Sequence, residues 1–361
     1  MHCPALVFLF GAVKNNIFSD NTVTTSKIIR GGGIVGVYID RLPSADGTYI
    51  GDITDNIFSG NTITALGAYG GGIVGADTSS TIGDIVNNVF DNNTVITMGT
   101  IWTGGIVGAL NQSTIGDIID CTFTNNVISA VDINGGIVGT LTSTIGDISG
   151  SIFADNTITA RGNIRAGILY LEHSLTVTDS QFTDNIFTSL QTYDSGHVYG
   201  GAITLDTGTD IAASSGTLSL TIVATAGNTT IFRNNEINDI DGKRTNSISI
   251  RPTAPLLPAS NADATLVISP FSGGAVYLYD PIYVKQDNGA AFEYEFDGKA
   301  RASVWGYDLK AAKFEGETGI GEAGLVFKPS SKSPWLVDLG VQGYVGKREG
   351  VSGSLRVGLE F

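Results

Sequence analysis

The chain has 361 residues, 48 of them Gly and 9 Pro, with 42% hydrophobic and 15% charged residues and a formal charge of −15. Apolar content of that order with so little charge excludes an intrinsically disordered chain, and glycines without a three-residue period exclude collagen. The acidic balance excludes a nucleic-acid binder, because phosphate neutralisation needs clustered Lys and Arg.

Residues 1–15 open with MHCPALVFLFGAV, whose apolar core resembles the h-region of a signal peptide. It has no Lys or Arg before that core and no small-x-small cleavage site. Two readings stand: a signal peptide lacking those parts, or a spurious start inside a longer reading frame, since repeat sequence begins at Asn16. No run of 18 apolar residues occurs, so no transmembrane helix is expected. Cys3 and Cys121 are too few for a disulfide framework.

From residue 16 to 284 three phrases recur in fixed order. GGIVG stands at Gly32–Gly36, Gly71–Gly75, Gly104–Gly108 and Gly135–Gly139, and decays to AGIL (Ala166–Leu169), GGAI (Gly200–Ile203) and GGAV (Gly273–Val276). IGDI stands at Ile50–Ile53, Ile82–Ile85, Ile115–Ile118 and Ile145–Ile148. Phe-x-x-Asn gives the pairs Phe18/Asn21, Phe58/Asn61, Phe90/Asn93, Phe123/Asn126, Phe153/Asn156, Phe182/Asn185 and Phe232/Asn235. Successive Phe spacings are 40, 32, 33, 30, 29 and 50 residues, one supersecondary unit of about 31 residues with loop insertions. Each unit holds three runs rich in Ile, Val and Thr, separated by Gly, Asn, Asp and Ser, and none has helical periodicity. The predicted fold is all-β: a right-handed parallel β-helix, three strands and one coil per repeat. Stacking at about 4.8 Å makes the Phe residues an internal aromatic column and the Asn residues a hydrogen-bonded ladder, in a rod of roughly 34 Å.

The stretch Pro252–Pro258 breaks the pattern, and the charge changes there. Residues 1–251 carry 10 Lys and Arg against 22 Asp and Glu, whereas residues 252–361 carry 10 against 13. Residues 285–361 read as about four antiparallel transmembrane-type strands: Glu293–Asp308, Gly319–Lys328, Trp335–Val345 and Val351–Phe361. Each alternates apolar and polar positions, and the last does so strictly over about eleven residues, the span of a tilted outer-membrane strand. A half-buried soluble sheet alternates in the same way.

GGA[ILV]-type and Phe-x-x-Asn phrases in alternation resemble the passenger of polymorphic outer-membrane protein autotransporters, over residues 16 to about 284 and including YDPI at Tyr279–Ile282. EYEFDGKA (Glu293–Ala300), TGIGEAGL (Thr318–Leu325), DLGVQGYVGKREGVSGSL (Asp338–Leu355) and the terminal Phe361 resemble the end of autotransporter β-barrel domains. The resemblance implies type V secretion and display on the cell surface of a diderm bacterium, with the passenger acting as adhesin or coat. Its implied partners are the outer-membrane lipid bilayer, the β-barrel assembly machinery, which would read Phe361, and a ligand on a host or neighbouring cell. The chain departs from the family in strand number, because single-chain barrels need about eight strands. An internal deletion or gene-model error joining YDPIYVKQDNG to AAFEYEFDG, a trimer contributing four strands per chain, and an unsecreted remnant all fit that shortfall.

Candidate chemistry is sparse. His2, His173 and His197 have no metal-ligand spacing. Asp194-Ser195-Gly196 beside His197 lies on one segment, whereas a nucleophilic relay converges from several. GGIVGAD at Gly71–Asp77 sets its Gly and Asp at the wrong offsets for a calcium-binding nonapeptide. Asp52, Asp84, Asp117 and Asp147 of IGDI form a predicted acidic column, read as solvated turn carboxylates or as a Ca²⁺ ladder. A secreted β-helical polysaccharide-active enzyme needs carboxylates beside a cation, yet residues 45–160 contain no Lys or Arg. Thr22/Thr24, Thr62/Thr64 and Thr157/Thr159 line up hydroxyls, but Thr94-Val95-Ile96 and Val127-Ile128-Ser129 break the array. No catalytic residue and no cofactor are expected. The predicted ladder residues are Phe58, Asn61, Phe90, Asn93, Phe123, Asn126, Phe153, Asn156, Phe182 and Asn185.

Overall fold

The computed structural model describes residues 11–38, 48–190, 196–206, 218–251, 264–270, 274–280, 282–285, 291–294, 302–304, 307–309, 318–327, 335–346 and 350–359. Every regular element among them is a strand. Met1–Phe10, Asp194, Ser195 and Phe361 lie outside the described residues.

Each regular repeat contributes six short strands instead of the predicted three. One coil runs Ile85–Val86, Val89–Asp91, Thr94–Thr97, Ile101–Gly104, Val107–Leu110 and Thr114–Ile115. The extra breaks come from left-handed corner residues inside what reads as continuous β sequence. Asn87 and Asn92 take φ of 53° and 54°, and Asn111 and Gln112 take 56° and 62°. Asn and Asp tolerate that region better than other non-glycine residues. Corners at fixed intervals therefore convert each apolar run into two strands that meet at an angle.

Equivalent strands of successive coils pair in parallel, so the chain winds into six stacked sheets, a parallel β-helix. Register is like on like: Phe90 pairs with Phe58 on one side and Phe123 on the other, and Val107 sits between Val74 and Val138. Inward positions are almost wholly apolar and removed from solvent, among them Ile53, Ile85, Ile118, Ile148, Ile63, Val95, Ile128 and Ile158. No single coil encloses these side chains; each is covered by the coils on either side, which makes the stack the unit of stability.

The six sheets do not run equally far. The sheet of Thr81–Ile82 ends at Thr144–Ile145, and that of Gly67–Tyr69 ends at Ile164–Ala166. The other four continue past residue 230. Two of them finish on antiparallel strands, Gly242–Thr245 against Glu236–Asp239 and Ala291–Tyr294 against Ile282–Lys285.

Beyond the coils, Thr318–Phe327, Trp335–Gly346 and Gly350–Leu359 form a three-stranded antiparallel meander. The fourth predicted strand, Glu293–Asp308, is not one strand. Its start belongs to Ala291–Tyr294, which pairs with the last coil strand, and Ala302–Val304 pairs with Tyr307–Leu309 as a separate short ladder. Ala291–Tyr294 pairs the edge of Ile282–Lys285 that the preceding coil strand, Ile248–Arg251, leaves open.

Candidate functional site

Two columns occupy the corner that carries Phe-x-x-Asn. Phe18, Phe58, Phe90, Phe123, Phe153, Phe182 and Phe232 stack face to face, with centroid separations of 4.7–4.9 Å and interplanar angles of 2–11°. One turn later the Asn side chains form a directional ladder. Asn61 donates its main-chain N–H (3.1 Å) and its Nδ2 (2.9 Å) to Asn93 Oδ1, and its Nδ2 also donates back to the Phe18 carbonyl at 2.7 Å. Asn93, Asn126 and Asn156 repeat the same three bonds. Asn185 donates to Asn235 Oδ1 and the Phe153 carbonyl. The ladder stops at Asp280 of YDPI, whose carboxylate accepts from the N–H groups of Asn234 and Asn235 and from Asn235 Nδ2. Burial raises the Asp280 carboxyl above its ordinary range.

A second ladder was not foreseen in the sequence. Asn16, Asn56, Asn88, Cys121, Ser151, Ser180 and Thr230 stand at one corner, buried from Asn56 onward, and each member after Asn16 accepts the N–H of the one preceding it in the ladder. Its residue type changes from coil to coil, which hides it from a search for repeated phrases. The thiol of Cys121 stands in for an amide or hydroxyl: Sγ accepts from Asn88 N at 3.5 Å and reaches the Ile85 carbonyl at 3.2 Å.

The IGDI carboxylates form a third column, on the outer side. Oδ1 of Asp52, Asp84 and Asp117 accepts the N–H of the next Asp at 2.8–3.0 Å, and Asp147 Oδ1 accepts from Thr176 N at 2.7 Å. Each carboxylate thus caps the backbone of the coil above. The preceding glycine follows from this contact, since a Cβ on Gly83, Gly116 or Gly146 would collide with the Asp carboxylate below. Among the described residues no three ligand atoms of this column come within 4.8 Å of one another.

Titratable groups converge in one other place, where the repeat falters at AGILYLEH. The last Gly of GGIVG must be Gly because a Cβ on Gly75 would overlap the Gly70 carbonyl. At Tyr170 the glycine register is broken: Gly139 pairs with Tyr170, and Tyr170 with Thr204. The large side chain that takes the glycine's place lies with its ring under Arg165, whose Cζ is 6.0 Å from the ring centroid. Tyr170, Glu172 and Asp206 are all fully buried. Tyr170 Oη lies 2.9 Å from Asp206 Oδ2, 3.3 Å from Glu172 Oε1 and 3.1 Å from Arg165 Nη1. Glu172 Oε2 accepts the Thr142 N–H at 2.7 Å. Burial pushes Glu172 up to about 7 and raises the Tyr170 phenol well above its usual value. The next residue, His173, places Nε2 2.7 Å from the Ile145 carbonyl, while its buried Nδ1 has no partner among the described residues. Glu172 and His173 therefore bond the backbone at the point where the Thr-Ile sheet runs out.

His197, Asp239 and Asp241 bring three potential ligand atoms within 4.8 Å. Both Asp239 oxygens are already committed. Arg244 donates to them at 2.6 and 2.9 Å, with Asp241 N at 2.9 Å on one and Val198 N at 2.7 Å on the other. That chemistry clamps the strand pair Glu236–Asp239 and Gly242–Thr245, and it leaves Asp239 poorly suited to a metal. The outer surface is different in character. Ile17, Ile57 and Val89 stand in register and at least a third exposed, and Leu66, Met98 and Leu190 are 43–58% exposed on another corner. No family model matches this chain, and no match was found among the curated proteins or the solved structures.

Proposed function

We propose that the chain is an autotransporter-type cell-surface protein, in which a right-handed β-helical passenger acts as adhesin or surface coat and residues 285–361 contribute an outer-membrane β-domain. The carrying observation is the register. The phrases through which the sequence resembles polymorphic outer-membrane passengers fall at three recurring corners of one solenoid, coil upon coil. Strands of 10, 12 and 10 residues at the C-terminal end suit a bilayer span of about 9–11 residues. The polar cluster around Tyr170 is closed to solvent, whereas apolar and Thr side chains repeat along the outside, which favours binding over turnover. The implied partners are the outer-membrane bilayer, the β-barrel assembly machinery and a ligand on a facing cell.

Expression in a diderm host followed by protease treatment of whole cells tests this reading. Shaving of the coil region from intact cells is the expected result. A chain protected inside the cell, or recovered only as aggregate, overturns the export claim.

A further inference from the structure

Two of the outer sheets meet at a re-entrant angle. A Cβ on Gly75 would overlap the Gly70 carbonyl, so Val74–Asp77 lies directly against the corner that follows Gly67–Tyr69. Outward positions on that strand and its neighbour are covered as a result: Asp77 is fully buried, and its register partner Leu110 nearly so. Along this angle three successive strands of the Gly67–Tyr69 sheet present Arg30, Tyr69 and Trp102. The Arg30 guanidinium lies between two rings, 5.2 Å from the Tyr38 centroid and 5.1 Å from that of Tyr69. Tyr69 meets Trp102 edge to face at 5.9 Å. Behind them Asp77 fixes Arg30, accepting from Nη1 at 3.2 Å on one oxygen. Its other oxygen accepts from Asn111 Nδ2 at 2.8 Å and Thr78 Oγ1 at 3.1 Å. The base of this network is closed and its rim is open: Trp102 is 41% exposed and the Arg30 side chain 38%.

We propose that this angle binds an uncharged glycan laid along the rod, with hexose rings against Trp102 and Tyr69 and hydroxyl oxygens accepting from Arg30. The chemistry of the rim separates the classes of partner. An anion finds Arg30 already balanced by Asp77 and approaches a chain of net charge −15. An apolar peptide or acyl chain would strip water from a guanidinium whose remaining N–H groups have no other acceptor among the described residues. A sugar meets both demands: its C–H face lies on the electron-rich face of an aromatic ring, and its hydroxyls accept from a planar donor fork. Guanidinium and rings recur at the coil step of about 4.8 Å, so successive units of one glycan are met by successive coils. Arg165 stands on the same outward column two coils beyond Trp102, a further donor along the line. The proposal gives the adhesin reading a ligand class and rests on that reading. Binding by purified protein is measured apart from export in whole cells, so failure of one is distinct from failure of the other.

Titration of the full chain, purified in a zwitterionic detergent, with maltohexaose, cellohexaose and mannohexaose tests the site. A saturable blue shift in tryptophan emission is expected with at least one of these sugars, and a heparin hexasaccharide is expected to bind more weakly. By calorimetry, Trp102→Ala is expected to weaken binding about tenfold or more. Arg30→Lys is expected to weaken it as well, because an ammonium keeps the charge beside Asp77 but loses the planar fork. Val127→Ala, an exposed change on a different sheet, is expected to leave the affinity unaltered. Thermal melts check that each variant is folded, and Trp102→Ala, at an exposed position, keeps the test valid if Arg30→Lys is not. Absence of binding to all of the uncharged hexasaccharides at millimolar concentration overturns the proposal. Tighter binding of the heparin hexasaccharide, or undiminished binding by Trp102→Ala, also overturns it.

Discussion

Single side chains inside the coils carry more than packing. Asn93 gives up two acceptor bonds and two donor bonds if cut to Ala, leaving the Asn61 N–H without an acceptor and Asn61 Nδ2 with the Phe18 carbonyl alone, in a site closed to water. Asn93→Ala is expected to cost about 2–4 kcal/mol, read as a lowered urea midpoint at unchanged m-value. Asn93→Asp is expected to fare no better, because it cannot donate to the Phe58 carbonyl and buries a charge. Cys121 offers the opposite case. Its neighbours in the same ladder are Asn88 and Ser151, so Cys121→Ser keeps the column supplied with oxygen and is expected to change stability by less than about 1 kcal/mol. Burial pushes its thiol up to about 11, so the folded chain is expected to resist thiol reagents at pH 8 and to react only on unfolding. Rapid labelling of folded protein would contradict that environment.

At the scale of the strand and corner, the glycine before each IGDI aspartate is a steric requirement. Gly116→Ala drives a methyl group into the Asp84 carboxylate and the backbone of the coil below, and is expected to cost about 1–3 kcal/mol. Asp84→Ala removes one acceptor from Asp117 N–H on the outer side, where water substitutes, and is expected to cost about 1 kcal/mol or less. Thermal melts of the two variants separate these effects. Addition of Ca²⁺ to the native chain distinguishes a capping column, whose melting point stays fixed, from a cation ladder, whose melting point climbs. These elements also mark how far the sequence could be read. Identical residues at one corner, such as Phe90 and Asn93 with their equivalents, announce their own stacking, because like must meet like in a parallel register. The Asn16-to-Thr230 ladder did not announce itself, since Asn, Cys, Ser and Thr meet one backbone demand in four chemical guises. Six strands per coil were hidden because Asn87 and Asn111 take left-handed φ without the glycine that usually signals a corner. The Tyr170 cluster was legible only as the place where GGIVG turns into AGILY, and its partners Glu172 and Asp206 come together through the parallel register of adjacent coils, which no repeated phrase marks.

Across the whole molecule, pH acts through two buried groups with opposite signs. His173 is held below its ordinary value by burial, so the folded chain binds its proton less readily than the unfolded chain does. Its stabilising share is complete above pH 6.5 and is lost as pH falls below that value. Glu172 is raised from 4.5 to about 7, so its share is complete below the lower figure and is lost as pH climbs through that interval. Below pH 6.5 the two shares oppose each other, and between pH 6.5 and 7 only the Glu172 share changes, so urea midpoints are expected to fall over that last interval and to stay level above it. Glu172→Gln is expected to remove the fall towards pH 7 and leave only a loss on the acid side, whereas His173→Gln is expected to leave the Glu172 slope across the whole interval from 4.5 to 7; a variant that removes both slopes would show that the two sites are not independent. One further consequence follows from the aromatic column. Phe153 and Phe182 are 29 residues apart in sequence and Phe182 and Phe232 are 50 apart, yet both pairs of rings are separated by 4.8 Å. Reach is thus counted in turns, not in residues. An insertion between two Phe positions alters what the rod displays without altering how far it extends, while duplication or loss of a whole turn alters extent by one fixed step and leaves each remaining turn as it was. Display and extent are separate dials, open to independent change as the chain evolves.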